Sequence, residues 1–355
     1  MGGNKQYMTK EMEDLELIAK SSLAWENYKG KTVLVTGATG LIGSLVVKAI
    51  LYYNRLNNGN ISVVAAIRNE KKAEKIFADF LKDTNLCLLA CDVTKGISVD
   101  REVDYIIHTV SLTASKMMVE HPVLTIETSY QGTRNILELA VEKKVKGMVY
   151  VSSMEVYGKP DPNLEYIKEK DLGYIDLTNV RSSYSEGKRI CECLCTAYAA
   201  EYGVSVRIAR LAQTFGAGIL ETDTRVYAQF AKSALKGEDI ILHTDGMSEG
   251  NYCYTRDVVK ALLMLGYSGE DGESYNIVNE ASHMKIKEMA NLVANDIMGG
   301  KIKVLFDIPE SDKVYGYAPA VKMHLSSKKM NALGWTAEVG MKDAYIRMIS
   351  DLKNV

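Results

Sequence analysis

The sequence predicts an α/β protein with a doubly wound parallel sheet and a smaller, mixed α/β lobe towards the C-terminus. The first observation is that short β-branched runs alternate with longer segments of helical periodicity up to residue 211. Parallel strands require such helices between them, and right-handed crossovers place the helices on both faces of the sheet. The second observation is a glycine-rich turn between the first strand and the helix that follows it. The third is an irregular pattern after residue 211, which is typical of a smaller lobe.

Apolar periodicity assigns the individual elements in chain order. The predicted strands of the regular part lie at residues 31–35, 61–67, 86–89, 103–108, 147–152 and 204–211. Its predicted helices lie at residues 8–20, 41–54, 71–81, 123–144 and 184–202. The irregular part is predicted to hold helices at 226–235, 255–265 and 285–294, and short strands at 240–243 and 274–277. We expect a helical extension at 1–29, a sheet domain at 30–211 and a smaller lobe at 212–355, with the return of some late elements to the main sheet left open.

The bulk composition narrows the possible partners. The chain has 355 residues, of which 47% are apolar and 25% charged, and its net charge is -2. Nucleic acid or an anionic membrane would favour a basic face, so neither partner is expected. The sequence has no apolar run long enough to span a membrane, and its polar, acidic first thirty residues do not resemble a signal peptide. We therefore expect a cytoplasmic protein.

The six cysteines predict neither a disulfide framework nor a metal site. Cys191, Cys193 and Cys195 form the densest group, but only the first and the last share a helix face. No histidine lies close in sequence to complete a zinc site. We expect buried, reduced thiols that pack as small hydrophobic side chains.

A glycine pattern predicts a dinucleotide site. Gly37, Gly40 and Gly43 follow a predicted strand and open a predicted helix. One glycine permits the tight turn, one allows the backbone to approach a pyrophosphate, and one lets the helix pack on the strand. The helix N-terminus then offers free N–H groups and a positive dipole end to the phosphates. The residues expected at the dinucleotide here are Gly37, Thr39, Gly40, Leu41, Ile42 and Gly43.

The segment TGATGLIG at residues 36–43 resembles the extended short-chain dehydrogenases/reductases, the NAD-dependent epimerase/dehydratase family. Further segments carry the same resemblance, at residues 91–93, 107–111, 149–158, 182–192, 207–216, 224–226 and 234–237. It covers roughly residues 30–350 and is strongest to UDP-glucuronate decarboxylases and dTDP-glucose 4,6-dehydratases. The resemblance implies a Rossmann-type sheet, bound NAD or NADP, a nucleotide-diphosphate sugar as substrate, and a homodimer.

The strand ends imply further contacts with the dinucleotide. By the resemblance, Asp92 and Val93 lie at the adenine and Thr109 lies beneath the ribose. An acid at the end of the second strand would bind the ribose 2′-hydroxyl, whereas an arginine would accept a 2′-phosphate. Arg68 stands there, with no acid before Glu70, which favours NADP. Both cofactors stay open, because many relatives of this length use NAD.

Tyr184 and Lys188 are four residues apart at a predicted helix start and share one face. A nearby ammonium is expected to lower the pKa of the phenol, which can then exchange a proton with a sugar hydroxyl as hydride moves to nicotinamide. By the resemblance, a hydroxyl completes the catalytic group. Alignment on Tyr157 selects Ser153 for this role over Ser152, which is one residue out of register.

The residues expected at the substrate are Ser111, Gln213 and Arg225. Gln213 stands where the family usually has asparagine. Gly250 stands where it usually has an arginine for the diphosphate, and Arg225 or Arg256 are the candidates to replace that arginine.

The reaction type rests on Glu155. Dehydratases and decarboxylases of the family have glutamate at this place, where it can act as base on the acidic C5 hydrogen of a 4-keto sugar. Met154 replaces a second acid that often precedes it, and residues 320–325 lack the arginines that decarboxylases carry there. The leading prediction is a 4,6-dehydratase. A 4-epimerase, a UDP-glucuronate decarboxylase and an NADPH-dependent 4-ketoreductase stay open, and a cofactor sensor without catalysis is disfavoured by the intact proton relay.

The homodimer is expected to form through a four-helix bundle. The predicted helices at 123–144 and 184–202 carry apolar side chains on more than one face. They include Ile136, Leu137, Leu139, Ile190, Leu194, Tyr198 and Ala199.

Overall fold

A seven-stranded parallel sheet forms the central layer of the protein. The computed structural model describes residues 8–220, 222–308 and 322–353, and predictions that fall elsewhere lie outside the described residues. In chain order the strands are β1 (Thr32–Thr36), β2 (Ser62–Ile67), β3 (Leu86–Ala90), β4 (Tyr105–His108), β5 (Gly147–Ser153), β6 (Val206–Leu211), β7 (Gln213–Phe215), β8 (Ile240–Leu242), β9 (Glu249–Tyr254), β10 (Ser274–Ile277), β11 (Asn279–Lys285) and β12 (Val304–Phe306).

The strand order in the main sheet is β10-β6-β5-β4-β1-β2-β3, and every neighbouring pair is parallel. The chain proceeds from β1 to one side and returns to β4 on the other side. The carboxyl ends of β1 and β4 therefore flank a crevice at the point where the order reverses, the usual ligand position in such sheets. The predicted doubly wound sheet is confirmed.

Helices cover both faces of this sheet. In chain order the helices of the described residues are α1 (Lys10–Ala19), α2 (Leu41–Asn57), α3 (Glu70–Ile76), α4 (Ser115–Glu120), α5 (Pro122–Lys143), α6 (Ser182–Tyr202), α7 (Val226–Lys236), α8 (Thr255–Leu265), α9 (Ile286–Asn291), α10 (Lys328–Asn331) and α11 (Met341–Leu352). Of these, α7, α9 and α11 pack in the core of a smaller lobe instead. Alternate residues of a strand pack against the helices on opposite faces of the sheet, because successive side chains point to opposite faces. Val33 and Val35 pack with α2 and α8, whereas Leu34 packs with α5 and α6.

A smaller lobe follows the main sheet. It contains a three-stranded sheet, β11-β9-β7, and a two-stranded sheet, β12-β8. Its own apolar core includes the buried aromatic side chains of Phe215, Tyr227 and Tyr345. Strand β10 returns to the main sheet beside β6, so one element from the predicted 212–355 lobe belongs to the larger layer. The division of the chain at residue 211 itself stays a prediction.

Several elements differ from their predicted form. Strands β7, β9, β11 and β12 and helices α4 and α10 were not predicted, because such short segments show little periodicity of their own. Helix α11 was also not predicted, although its buried side chains repeat at helical spacing, at Met341, Ala344, Tyr345, Met348 and Ile349. The helix predicted at 71–81 ends at Ile76 and continues as a short 3-10 turn. The helix predicted at 285–294 is α-helical only to Asn291 and then widens into a π-helical turn that ends at Ile297.

Helix α1 connects the two lobes at their base. Its Asp14 is buried and accepts hydrogen bonds from the Tyr254 hydroxyl at 2.6 Å, Arg256 Nη1 at 3.1 Å and Arg347 Nη1 at 3.0 Å. Burial raises the pKa of this carboxyl, against the opposing effect of these donors. Helix α1, which lies in the predicted N-terminal extension, thus packs on the rest of the fold.

A second buried ion pair connects helix α6 to the sheet. Arg210 of β6 places Nη2 2.6 Å from Glu192 Oε2, and its Nε also donates to Glu192 at 3.0 Å. The Ser152 hydroxyl donates to the same carboxylate, and Arg210 Nη1 donates to the Tyr157 hydroxyl at 3.1 Å. The Tyr157 hydroxyl in turn donates to Asn276 Oδ1 at 2.6 Å. One buried network therefore joins α6, β5, β6 and β10.

We predict that Arg210→Ala lowers the free energy of unfolding by about 3–5 kcal/mol, because it leaves the Glu192 carboxylate buried without its cation. Urea unfolding followed by circular dichroism measures this change. The matched control is the double variant Arg210→Met with Glu192→Leu, which removes both charges at similar volume and is expected to unfold near the wild-type midpoint. A loss below about 1 kcal/mol in the single variant would show that the pair does not stabilise the fold.

Candidate functional site

The glycine turn lies at the carboxyl end of β1, in the crevice between β1 and β4. Gly37 adopts φ +65°, a left-handed conformation that favours glycine. A Cβ at Gly37 would lie 2.7 Å from Thr109 Oγ1, and one at Gly43 would lie 2.4 Å from the Gly37 carbonyl oxygen. Gly40 is exposed and is the N-cap of α2. A bare backbone edge thus meets the start of a helix, an arrangement that fits a pyrophosphate.

The other residues predicted at the dinucleotide line the same edge of the sheet. Thr109 follows β4, and its hydroxyl donates to the Thr36 carbonyl at 2.8 Å. Asp92 follows β3 and accepts from the amide and hydroxyl of Thr94, and these bonds lower the pKa of its carboxyl. Arg68 is exposed at the end of β2. Half-buried or buried side chains complete this edge at Thr39, Leu41, Ile42 and Val93.

Three predicted catalytic residues meet where β5 ends and α6 begins. Ser153 is the last residue of β5, and Tyr184 lies in the first turn of α6. The hydroxyls of Ser153 and Ser111 lie near enough to the Tyr184 phenol to favour its ionised form, which lowers its pKa. Burial and the nearby charge of Glu155 outweigh these effects and raise the pKa of Tyr184 to about 12. Ser152 points instead into the buried Glu192 pair, so the structure favours Ser153 over Ser152 at the phenol.

Lys188 lies one turn after Tyr184 in α6, as the spacing predicts, and its ammonium contacts the backbone of β5. Its Nζ donates to the Val151 carbonyl at 2.7 Å and lies 6.0 Å from the centroid of the Tyr184 ring. Burial lowers the pKa of this ammonium to about 8. In this structure the pKa of Tyr184 is raised and not brought towards neutrality, so the effect expected of Lys188 on the phenol stays a prediction. Burial and the charge of Glu155 dominate the pKa of the phenol, and one of the three N–H groups of Lys188 donates to the Val151 carbonyl.

Glu155 does not stand alone beside the phenol. Arg181 Nη2 lies 2.9 Å from each of the two Glu155 carboxylate oxygens, and the Arg181 guanidinium is 5.7 Å from the centroid of the Tyr184 ring. Met154, which replaces a second acid, is buried. Arg181 was not among the predicted site residues. The available signal was its spacing of three residues before Tyr184, which places both on one side of a helix start.

The predicted substrate residues are only partly brought together. Arg225 forms a bidentate pair with Asp223, and its charge interacts with the Tyr184 phenol across the cleft. Gln213 is exposed at the start of β7. Arg256 is held by Asp14 at the base of the lobes, so it cannot take the place of the arginine that Gly250 replaces. Of the two candidate arginines, Arg225 is the one that faces the site.

Other binding modes find no support in the described ranges. Within residues 8–220, 222–308 and 322–353, no helix is long and apolar enough to cross a membrane. In the same ranges, no three histidine, cysteine or acidic side chains are grouped so that they could hold a metal ion. Cys191 and Cys195 are buried as predicted, whereas Cys193 is exposed.

Comparison with known proteins agrees with this geometry. The model of the NAD dependent epimerase/dehydratase family matches residues 33–279. UDP-glucuronic acid decarboxylase 3 of Arabidopsis thaliana is 29% identical over 352 residues, which cover 98% of this chain and 96% of that relative. UDP-glucuronic acid decarboxylase 6 of the same plant is 30% identical over 325 residues, which cover 90% of this chain and 88% of the relative. The predicted resemblance is therefore confirmed.

A solved structure supports the fold in particular. The dTDP-glucose 4,6-dehydratase of Streptomyces venezuelae, crystallised with NAD bound, superposes with a TM-score of 0.73 at 22% identity. The match covers 91% of this chain and 97% of that chain. The main sheet and the smaller lobe thus recur together in that enzyme.

We predict that Gly40→Val weakens dinucleotide binding at least roughly 10-fold, because a branched side chain blocks the approach of a pyrophosphate to the turn. Isothermal titration calorimetry with NAD measures the effect. Gly340→Val is the matched control, because Gly340 is also a helix N-cap of nearly the same backbone conformation (φ -75°, ψ 164° against φ -82°, ψ 168°). Equal affinities of the two variants for NAD would contradict the assignment of this turn.

Proposed function

Because this chain belongs to the NAD dependent epimerase/dehydratase family, we propose that it oxidises a nucleotide-diphosphate sugar at C4 and then releases the C6 carboxylate as carbon dioxide. The observation that carries the oxidation step is the Tyr184 phenol, buried beside the Ser153 and Ser111 hydroxyls where β5 ends. The names of the relatives, UDP-glucuronic acid decarboxylases, support the second step.

Bound NAD supplies the hydride acceptor, and later the hydride donor, at C4. The glycine turn and the strand ends would hold it. Tyr184 takes the proton of the C4 hydroxyl while Ser153 hydrogen-bonds the same oxygen. Lys188 adds positive charge behind the phenol and fixes the end of β5 through the Val151 carbonyl.

The ketone formed at C4 lies β to the C6 carboxylate. The C5–C6 bond can then break, with its electron pair moving into an enolate on the C4 oxygen as carbon dioxide leaves. Protonated Tyr184 donates to that oxygen, and its raised pKa keeps the proton available at neutral pH. A proton added at C5 restores the ketone, which is reduced back to the alcohol. Glu155, near Tyr184, is our candidate to deliver the C5 proton.

Dehydration of a neutral hexose is the second candidate reaction. Its supporting observation is the Glu155 carboxylate itself, which lies close enough to Tyr184 to raise the pKa of the phenol and could remove the C5 proton. Loss of the C6 hydroxyl then requires a proton donor, and Met154 occupies the neighbouring position. Decarboxylation requires no such donor, so it is the reaction that the present side chains support better.

We also propose that the protein forms a homodimer through α5 and α6. Three residues named for this role, Ile136, Leu137 and Leu139, are buried in the core of the chain itself. Ile190, which was also named for this role, is exposed. The other exposed large apolar side chains on the two helices are Val123, Leu124, Ile126, Tyr130 and Tyr202. They offer an apolar surface that a second copy would cover.

We predict that wild-type protein with NAD converts UDP-glucuronate to carbon dioxide and a UDP-pentose that carries one deuterium at C5 when the reaction runs in D₂O. Mass spectrometry of the sugar nucleotide measures both changes.

Tyr184→Phe should lose roughly 10²–10⁴-fold in rate, because it removes only the proton-transfer group. Glu155→Gln should stop C5 labelling while hydride transfer stays measurable. Loss of water from UDP-glucose, with no reaction of the uronate, would favour the dehydratase instead.

We predict that Arg68→Ala weakens NADP binding roughly 10-fold while NAD binding changes less than about 2-fold, because only the 2′-phosphate would accept its charged donors. Lys75→Ala, an exposed cation on α3, is the control for the loss of surface charge. Competition titrations with both dinucleotides give the ratio of affinities. An equal loss for NAD and NADP would remove the 2′-phosphate role and favour a strictly NAD-dependent enzyme.

A further inference from the structure

Arg181 is a cation at the reacting end of the cleft whose hydrogen-bonding capacity is only partly used. Its Nη2 contacts both oxygens of Glu155, whereas its buried Nη1 has no hydrogen-bond partner among the described residues. A buried charged N–H group without an acceptor is costly, so such a group calls for a specific explanation. An anionic ligand at this edge of the guanidinium would provide one.

Glu155 holds this guanidinium, and local hydrogen bonds hold the backbone that carries it. The Arg181 amide donates to Asn179 Oδ1 at 3.0 Å, and the Ser182 hydroxyl donates to the Asp176 carbonyl at 2.6 Å. The residue directly precedes α6, so its position is tied to that of Tyr184. A receptor fixed in this way loses little entropy when a ligand binds.

Two arginines face Tyr184, and their surroundings differ. Arg225 is clamped by Asp223 through both Nε and Nη2 and belongs to the smaller lobe. Arg181 contacts Glu155 through only one nitrogen, Nη2, and lies on the main-sheet side, next to the phenol. A nucleotide uronic acid also carries two anionic groups, and its C6 carboxylate is attached to C5, next to the C4 that reacts. Arg181, which lies next to the Tyr184 phenol, is therefore the arginine placed to bind the C6 carboxylate.

We propose that Arg181 binds the C6 carboxylate of the substrate through its free Nη1 edge while Nη2 keeps Glu155 in position. The inference rests on the proposed function and names the residue that sets its specificity. The planar guanidinium suits a carboxylate, because its N–H groups lie in a fork that matches the two oxygens. A neutral C6 hydroxyl offers only one oxygen and no opposite charge, so it cannot form the paired, ion–ion contact. The same contact replaces the arginines that residues 320–325 lack.

The test compares three ligands on the full-length, NAD-loaded protein: UDP, UDP-glucose and UDP-glucuronate. Calorimetry should show that wild type binds the uronate roughly 10–100-fold more tightly than the neutral hexose. Arg181→Gln should lose this preference and keep its affinity for UDP and UDP-glucose within about 2-fold. Arg181→Lys should recover part of the preference. Arg101→Gln, an exposed arginine in a surface loop, is the matched control and should behave as wild type.

The outcomes separate this inference from the reaction itself. A wild type without preference for the uronate, or an Arg181→Gln variant that loses UDP-glucose and UDP-glucuronate equally, overturns the inference and leaves Arg181 with a structural role. A preference that disappears in Arg181→Gln supports it. That support stands even where no carbon dioxide is released, in which case only the proposed decarboxylation fails. Unfolding midpoints of all variants show whether a loss reflects binding or folding.

Discussion

The position of helix α6 depends on two of its charges that water cannot solvate. Glu192 and Lys188 are both buried, so each must find a partner inside the protein. Arg210 of β6 and the Ser152 hydroxyl satisfy the first, and the Val151 carbonyl of β5 satisfies the second. These partners lie on fixed strands of the sheet, so both the rotation of α6 about its axis and its shift along the sheet are determined. Tyr184, one turn before Lys188, then has to face Ser153.

The burial that fixes the helix also sets the acid–base character of the site. Desolvation raises the pKa of Tyr184 to about 12 and lowers that of Lys188 to about 8. The phenol is therefore a proton donor at rest, which suits the stabilisation of an enolate oxygen. To accept a proton in the oxidation step it needs additional positive charge nearby. Arg181, 5.7 Å from the centroid of its ring, and Lys188, 6.0 Å from that centroid, are two described cations placed to supply it. The site thus depends on how its charges are balanced more than on any single residue.

What the sequence predicts well is what local patterns encode. The glycine turn, the alternating strands and helices, and the spacing of Tyr184 and Lys188 are short-range features, and all appear in the structure as expected. Contacts between residues far apart in sequence could not be predicted from such local patterns. The ion pair of Arg256 with Asp14 joins residues 242 positions apart, and the ion pair of Arg181 with Glu155 joins residues 26 positions apart. The orientation of Lys188 likewise depends on a backbone carbonyl of another strand, which no side-chain pattern reveals.

The catalytic group itself is compatible with epimerisation, dehydration or decarboxylation, because each begins with the same oxidation at C4. The choice among them depends on what surrounds C5 and C6 of the sugar. Dehydration would need one group to take the C5 proton and another to protonate the leaving hydroxyl, yet Glu155 is coupled to Arg181 and the neighbouring position is Met154. Decarboxylation needs a place for a carboxylate and a donor for the enolate oxygen. A guanidinium with one free edge and a protonated phenol meet those two needs, so the charge pattern around Tyr184 favours an acidic sugar over a neutral one.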